Sequence, residues 1–506
     1  MYTFLISVAA LVVGYILYGA FVDRVFGPDS TRKTPAVEKA DGVDFVPMPT
    51  WKVFMIQFLN IAGTGPIFGA IMGAMFGPSA FLWIVFGCIF AGAVHDYFTG
   101  MLSIRHGGAA LPEIVGHYLG KGTKTVMLCF SVLLMLLVGV VFVYSPAVIL
   151  GPMVDLSFGA GGSTSMMIWV FIILAYYVVA TLLPVDKIIG KIYPVFAVAL
   201  LFMAVALCFC LLRSDTAAVP ELWDGLANRK GPGAPIFPCL FITIACGAIS
   251  GFHATQSPLM ARCLKDEKLG RPVFYGAMIT EGLVALIWAA VASWVFWGGG
   301  KELILGAGFS VDGGAPAVVT AVSKYWLGIF GGILAILGVV AAPITSGDTA
   351  FRSARLIIAD FLKLDQKQVR NRLVISVPLF ALGGLLLWYN IADPKGFDRI
   401  WGYFGWANQT LAVFSLWTVT SYLVKKKRGF YYLITLIPAI FMTSVTFTYF
   451  CIEKIGFNLI LGPLGHPIPA SWNLAIGGVT AIVSLVLFIL LSRKAFKNRN
   501  LSYNPA

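Results

Sequence analysis

Ionisable residues inside apolar stretches are the first candidates for chemistry in this chain of 506 residues. A charged side chain at the centre of a bilayer costs about 2.5–3.5 kcal/mol on insertion scales, so such residues are expected to be functional. They are His95, Asp96, His253, Glu281 and Asp348. Histidine has an unperturbed pKa of about 6.5 and changes charge near neutral pH. The residue types therefore predict proton coupling through His95, Asp96, Glu281 and Asp348.

Structural explanations remain open for several of these residues. His95 and Asp96 lie near the end of a predicted helix, where they could serve hydrogen bonds, and adjacent helix residues are not expected to face each other. Asp348 stands four residues before Arg352, a spacing that permits an ion pair. No partner for Glu281 can be named from its neighbours in the sequence. Coupling and structural roles are both compatible with these patterns.

Two motifs rich in glycine and proline interrupt apolar stretches, at 60–66 and at 246–258. A helical glycine costs about 1 kcal/mol relative to alanine, and proline removes a helix hydrogen bond. Each motif therefore predicts a broken helix. Lipid offers no hydrogen bonds to irregular backbone, which favours a shared, protein-lined cavity over the alternative of two packing kinks.

The broken helices are expected to supply a substrate site. Freed N–H groups and helix N-termini can hold an anion, and freed carbonyls can hold a cation. His253 and Gln256 lie three residues apart, so both are expected to donate hydrogen bonds to a substrate carboxylate, although His253 could also be a satisfied core residue. The predicted substrate-binding residues are Asn60, Gly63, Thr64, Gly65, Ser250, Gly251, His253 and Gln256.

The composition requires these motifs to sit in a membrane protein. Hydrophobic residues make up 59% of the chain and charged residues 12%, whereas soluble domains carry about 25% charged residues. A membrane-crossing helix needs about 20 apolar residues. On that basis we predict an all-α integral membrane fold with about thirteen spans, near 2–22, 51–78, 79–104, 124–150, 166–184, 188–212, 236–261, 272–298, 325–350, 373–390, 400–424, 430–452 and 470–492.

The basic residues predict the topology. Most of the 36 Lys and Arg fall in alternate loops between these spans, and cytoplasmic loops are the basic ones. This places the carboxy terminus in the cytoplasm and, with an odd number of spans, the amino terminus outside. The net charge of +13 then reflects orientation in a lipid bilayer, and no nucleic-acid partner is expected.

The spacing of the two breaks predicts an internal repeat. Each broken helix opens a block of five spans, at 51–212 and 236–424. An odd number of spans inverts the second block relative to the first, which is typical of transporters whose site lies at the bilayer midplane. The remaining segments are an extra N-terminal span at 1–22, a cytoplasmic loop at 23–50, two C-terminal spans at 430–492 and a cytoplasmic tail at 493–506.

Three motifs resemble those of the CstA carbon starvation family, and they occur in the same order over nearly the whole chain: 58–67, 92–97 and 250–256. The resemblance implies a symporter in a prokaryotic cytoplasmic membrane that imports a small organic nutrient, either pyruvate with protons or peptides. It also implies the five-plus-five inverted repeat of the amino acid, polyamine and organocation superfamily, which is similar to sodium-coupled leucine transporters.

The resemblance extends to a possible sodium site. The N-x-x-G-x-G pattern at 60–65 is similar to the broken first core helix of sodium-coupled relatives, in which a cation lies between that break and the eighth core helix. Asp348 is two residues beyond this set, so its carboxylate could replace the ion in a proton-coupled member. The implied sodium ligands are Leu59, Ala62, Ala342, Thr345 and Ser346.

Other functional classes are less compatible with the sequence. The eight cysteines form no C-x-x-C pair and are expected to be buried hydrophobic residues, so no cofactor beyond a sodium ion is expected. An intramembrane hydrolase using His95, Asp96 and His253 would lack the spacing typical of a zinc site. A nutrient sensor remains possible, although the predicted cytoplasmic segments are too short for a signalling domain.

Overall fold

The described part of the chain is built from helices alone. The computed structural model describes residues 1–42, 44–154, 156, 162–182, 185–366, 368–393, 396–426 and 429–501, and these contain no strand. Part of the predicted tail, 502–506, therefore lies outside the described residues. The helices are α1 Tyr2–Phe26, α2 Thr50–Ile61, α3 Gly65–Ala74, α4 Ser79–Arg105, α5 Leu111–Leu119, α6 Lys121–Leu150, α7 Gly162–Leu182, α8 Val185–Arg213, α9 236–243, α10 Gly251–Ala261, α11 Gly276–Trp297, α12 Gly300–Gly306, α13 Ala315–Leu362, α14 Val369–Ala392, α15 Gly396–Lys426, α16 Leu433–Ile452, α17 Phe457–Leu461 and α18 Asn473–Leu501.

The predicted spans all coincide with helical segments, and the all-α membrane fold is confirmed. Within the described ranges, nine helices are long and apolar enough to cross a membrane, or ten if the bent pair α2 and α3 counts as one span. The count of thirteen crossings therefore stays a prediction. One boundary differs clearly: the ninth predicted span, 325–350, lies within the longer α13, where Gly328 with φ of 65° interrupts the helical geometry.

The two predicted blocks share one order of elements. The first runs from a broken helix through α4, the short α5, α6, α7 and α8. The second runs from a broken helix through α11, the short α12, α13, α14 and α15. The matching short helix at the same place in each block supports the proposed repeat, while the inverted relation between the blocks stays a prediction.

The first break follows from its glycines and proline. Helix α2 ends at Ile61, and Ala62 leaves the helical region with ψ of 58°. The chain resumes in a π-helical turn at Gly65–Gly69, where Pro66 occupies the first turn and needs no helix hydrogen bond. The two halves are bent by 54°. Wide π turns of this kind are frequent at functional sites.

The second break separates α9 from α10. Ile244 leaves the helical region with ψ of 82°, and the chain stays irregular as far as Ser250, which is extended and precedes the first residue of α10, Gly251. Both sides of this break are buried in protein. The sequence prediction of a discontinuous helix within 236–261 agrees with this structure.

The two breaks pack directly against each other. A methyl group added at Gly65 would overlap the side chain of Cys246, and one at Gly69 would lie 2.8 Å from the carbonyl oxygen of Thr243. Glycine is therefore required at Gly65 by close approach and not by its backbone angles. The contact brings the irregular backbone of both blocks into one buried layer.

We expect Gly65→Ala to lower the unfolding free energy by about 1–3 kcal/mol, because overpacking forces the breaks apart. Cys246→Gly should restore much of that stability in the double variant. Unfolding temperatures followed by tryptophan fluorescence in detergent would measure both effects. Gly122→Ala is the matched control, since no atom lies within 4 Å of a methyl group there; equal losses at the two glycines would contradict the contact.

Candidate proton and substrate site

A chain of buried ionisable side chains lies beside the second break. Asp96 accepts at both oxygens: His95 Nδ1 lies 2.8 Å from Oδ1, and His253 Nδ1 lies 2.8 Å from Oδ2. On its other edge, His253 Nε2 lies 3.4 Å from Glu281 Oε2. All four side chains are fully buried. His253 thus bridges two carboxylates contributed by α4 and α11.

The protonation of His253 and Glu281 decides whether their facing atoms attract or repel each other. An ionised Asp96 can only accept, so both histidines donate from Nδ1. The facing pair, His253 Nε2 and Glu281 Oε2, would then be two acceptors unless one of them holds a proton. An unpaired buried charge costs on the order of several kcal/mol even after relaxation.

Small residues on α4 allow this approach. A methyl group at Gly92 would overlap the carbonyl oxygen of Ala248 in the second break, three residues before His95. Gly92 is the last residue of a π-helical turn at Cys88–Gly92, and Cys88 Sγ lies 3.3 Å from the carbonyl oxygen of Met278. The π turn and the glycine together bring α4 against both α10 and α11. Asp96 is positioned by these backbone contacts.

Three of the four predicted proton-coupling residues, His95, Asp96 and Glu281, lie together around His253, which was predicted to bind substrate, and one expectation is corrected. His95 and Asp96 do contact each other, because the short carboxylate turns toward the Nδ1 edge of the neighbouring ring. Asp348 lies elsewhere, on α13, where its Oδ2 accepts from the Tyr176 hydroxyl at 2.8 Å. The Asp348–Arg352 ion pair is not observed; Arg352 donates to the Ala180 carbonyl at 2.6 Å.

The predicted substrate residues divide between two environments. At the first break, the side chains of Asn60 and Thr64 are buried and lack a hydrogen-bond partner among the described residues. Gly63 packs against the ring of Phe142. Farther along α10, Gln256 contacts Ser353 of α13 at 3.4 Å. Gln256 Nε2 also lies 2.9 Å from the Thr255 hydroxyl, and the expectation that Gln256 and His253 bind one substrate carboxylate stays a prediction.

One residue that sequence reasoning missed organises the second break. Asn408 of α15 accepts with Oδ1 from the Ser250 hydroxyl at 3.0 Å and from the Phe252 N–H at 2.7 Å. The side chain thus satisfies a free donor at the N-terminus of α10. Gly251 allows this approach, since a methyl group there would overlap the Asn408 carbonyl. The sequence feature that could have identified Asn408 is the pair of adjacent amide side chains, Asn408 and Gln409, inside an otherwise apolar stretch.

The possible sodium ligands are also near one another. Ser346 Oγ lies 2.8 Å from the Leu59 carbonyl and 3.0 Å from the Ala342 carbonyl. The Thr345 hydroxyl donates to the Ala342 carbonyl at 2.8 Å. Ala62, three residues after Leu59, begins the same break. These oxygens are ligands of the type that hard cations take, so the residues present fit such an ion.

A second set of ligand-type atoms lies at the other break. One ligand atom each from Cys246, His253 and Glu281 lie within 4.8 Å of one another, all buried. This donor set has the chemistry of a transition-metal site, and neither sequence spacing nor cysteine pairing predicted it. The hydrogen bond between His253 Nδ1 and Asp96 already orients the imidazole ring.

The fold defines the class of this protein as a helical membrane protein with a transporter fold. A manganese transporter from Eremococcus coleocola superimposes with a TM-score of 0.57 at 11% identity, over 91% of this chain and 99% of that chain. A sodium-coupled sialic acid symporter superimposes with a TM-score of 0.51 at 10% identity, over 96% and 98% of the two chains. These similarities concern the fold alone.

The chain belongs to the carbon starvation protein CstA family, whose model matches residues 1–145, 137–298 and 305–449. An uncharacterized membrane protein of Haemophilus influenzae is 48% identical, over 58% of this chain and 90% of its own. A peptide transporter of Campylobacter jejuni is 28% identical, over 90% and 80%. A pyruvate/proton symporter of Escherichia coli is 26% identical, over 87% and 80%.

We expect Asn408→Leu to destabilise the protein by about 1–3 kcal/mol, because the buried Phe252 N–H and the Ser250 hydroxyl lose their acceptor. Thermal unfolding in detergent measures the loss. Ser250→Ala should cost less, since it removes one of the two hydrogen bonds and leaves the N–H satisfied. An unfolding temperature that is the same for Asn408→Leu and the parent would contradict this role.

Proposed function

We propose that this protein is a secondary active transporter, a symporter that imports a small organic anion, most simply pyruvate, with protons. The observation that carries the proposal is the buried chain Asp96–His253–Glu281, in which one imidazole lies between two carboxylates. Such a chain can hold a proton away from water and release it when the helices that form it move. The pyruvate/proton symporter among the relatives supports the same pairing of substrate and ion.

The coupling follows from where His253 lies. It is two residues beyond Gly251, the start of α10, and α10 follows the break that packs on Gly65. Protonation of the chain Asp96–His253–Glu281, which we call the relay, changes the charge that holds α10 against α4 and α11. A rearrangement of the broken helices would therefore be favoured or opposed by the proton, which is the requirement for coupled alternating access.

The substrate proposal rests on the first break and the N-terminus of α10. Buried Asn60 and Thr64 offer amide and hydroxyl groups without protein partners in the described chain, and the helix N-terminus favours a negative group. Ser250, Gly251, Gly63 and Gly65 would line the same layer. Peptides are the second candidate, because Glu281 retains two oxygens without hydrogen bonds that could bind a substrate ammonium and the Campylobacter relative is a peptide transporter.

Sodium is the alternative coupling ion. The oxygens of Leu59, Ala342, Thr345 and Ser346 would hold it, with Ala62 completing the set, and it would fix the first break against α13. We also propose that the protein lies in a prokaryotic cytoplasmic membrane with its carboxy terminus inside, as the basic loops indicate. Proton and sodium gradients imposed separately distinguish the two ions.

The decisive experiment is uptake of labelled pyruvate and of a labelled dipeptide into proteoliposomes, with proton and sodium gradients imposed separately. We expect the proton gradient to drive pyruvate accumulation, because the relay takes up protons. Accumulation of the dipeptide alone would assign peptides, and dependence on sodium alone would assign the other ion. No uptake of either compound under either gradient would overturn the proposed function.

We expect Glu281→Gln to abolish proton-driven accumulation while pyruvate exchange across equal concentrations continues, because the amide cannot take up the proton but still fills the site. Counterflow and gradient-driven uptake in the same proteoliposomes measure the two activities. Glu302→Gln, at an exposed carboxylate of α12, is the control. Unchanged accumulation by Glu281→Gln would exclude the relay, and loss of accumulation in Asp348→Asn alone would assign coupling to α13.

A further inference from the structure

Two fully buried arginines on α13 lie outside the relay and have no role in it. Arg352 and Arg355 are each 2% exposed. Among the described residues neither lies within ion-pair distance of a carboxylate, although buried guanidinium groups normally require one. Arg352 donates to the Ala180 carbonyl, and Arg355 donates to the side-chain oxygen of Gln366. The Nε atom of each is buried without a partner.

The surroundings of this pair are strongly positive. Three positive side chains, Arg352, Arg372 and Arg262, lie close enough to Arg355 to repel it. Asp44 is the negative side chain that attracts it. Arg262 is further drawn toward Asp360, at 3.9 Å. Both outer arginines are largely buried, at 7% exposure each. In the described part of the chain, the four arginines outnumber the three carboxylates around them, Asp44, Asp348 and Asp360, and the arginines themselves have little access to water.

The arginine pair is connected to the substrate layer by α10. Ser353 lies between the two arginines in sequence, and its hydroxyl contacts both Gln256 Nε2, at 3.4 Å, and the Thr255 carbonyl, at 3.3 Å. Along α13, Arg355 lies nine residues beyond Ser346, about 13 Å at the rise of an α-helix. The pair thus lies between the layer of the breaks and the end of α13 at Leu362, which the charge pattern places on the cytoplasmic side.

We propose that Arg352 and Arg355 form a second, release-side binding site for the anionic group of the transported substrate. This inference rests on the proposed function and narrows it to substrates that carry a carboxylate or phosphate without a compensating positive charge. A planar guanidinium binds such groups with two parallel hydrogen bonds. The unpartnered Nε atoms supply the donors, and the anion supplies the charge that the protein lacks there.

The test is anion binding to the purified full-length protein in nanodiscs of zwitterionic lipid, measured by calorimetry and by thermal stabilisation. The probes are pyruvate, inorganic phosphate and the neutral analogue pyruvamide. We expect pyruvate to bind and pyruvamide not to bind. Arg352→Gln and Arg355→Gln should each weaken pyruvate binding about tenfold or more, as the loss of a charged hydrogen bond predicts.

Arg370→Gln is the matched control, because Arg370 is an exposed arginine on the neighbouring α14. Arg355→Lys keeps the charge but not the paired donors, so we expect weaker binding with normal folding, and it decides the matter if the glutamine variants do not fold. Three outcomes would overturn the site. The first is an unchanged pyruvate affinity in Arg355→Lys and in every folded glutamine variant. The others are equal binding of pyruvamide and displacement of pyruvate by trace levels of added anionic lipid.

Binding does not depend on transport, so the two proposals fail separately. Arginine-dependent pyruvate binding without uptake under either gradient would retain the anion site and reject the proposed symport. Gradient-driven pyruvate uptake in Arg352→Gln and Arg355→Gln, with an unchanged KM on the release side, would retain symport and reject the site.

Discussion

Irregular backbone at membrane depth must find its hydrogen bonds inside the protein, and much of this structure follows from that requirement. The two breaks satisfy it by packing against each other, at Gly65 and Cys246, and by recruiting a side chain from α15. Asn408 supplies the acceptor that water would supply in a soluble protein. Because the N-terminus of α10 is held in this way, His253 has a defined position from which to reach α4 and α11.

The buried ionisable side chains also find their partners inside the protein. Asp96 is bonded to two imidazoles, and the carboxylate of Glu281 faces the outer edge of one of them. A cluster with fewer histidines would carry negative charge that the surroundings could not compensate, and one with fewer carboxylates would leave the imidazoles without acceptors. With both carboxylates ionised and both imidazoles neutral the cluster would carry two negative charges, and each bound proton would remove one of them.

The arginines of α13 present the opposite imbalance. They lie toward the end of the helix, beyond the layer of the breaks, and their guanidinium groups are bonded mainly to neutral oxygens. The first break differs from both charged clusters, because Asn60 and Thr64 offer neutral amide and hydroxyl groups there.

The sequence by itself determined the membrane class, the helical segments and the position of both breaks, because apolar length, glycine and proline act locally on the backbone. It also identified His95, Asp96, His253 and Glu281, since ionisable residues are conspicuous in apolar segments. Only the tertiary structure decided that His253 joins Asp96 to Glu281, that Gln256 faces Ser353, that Asp348 binds Tyr176 and that Asn408 serves the second break. Each of these contacts joins residues from different helices or depends on how a helix is rotated about its axis. That rotation is set by packing over the whole bundle, which local patterns do not encode.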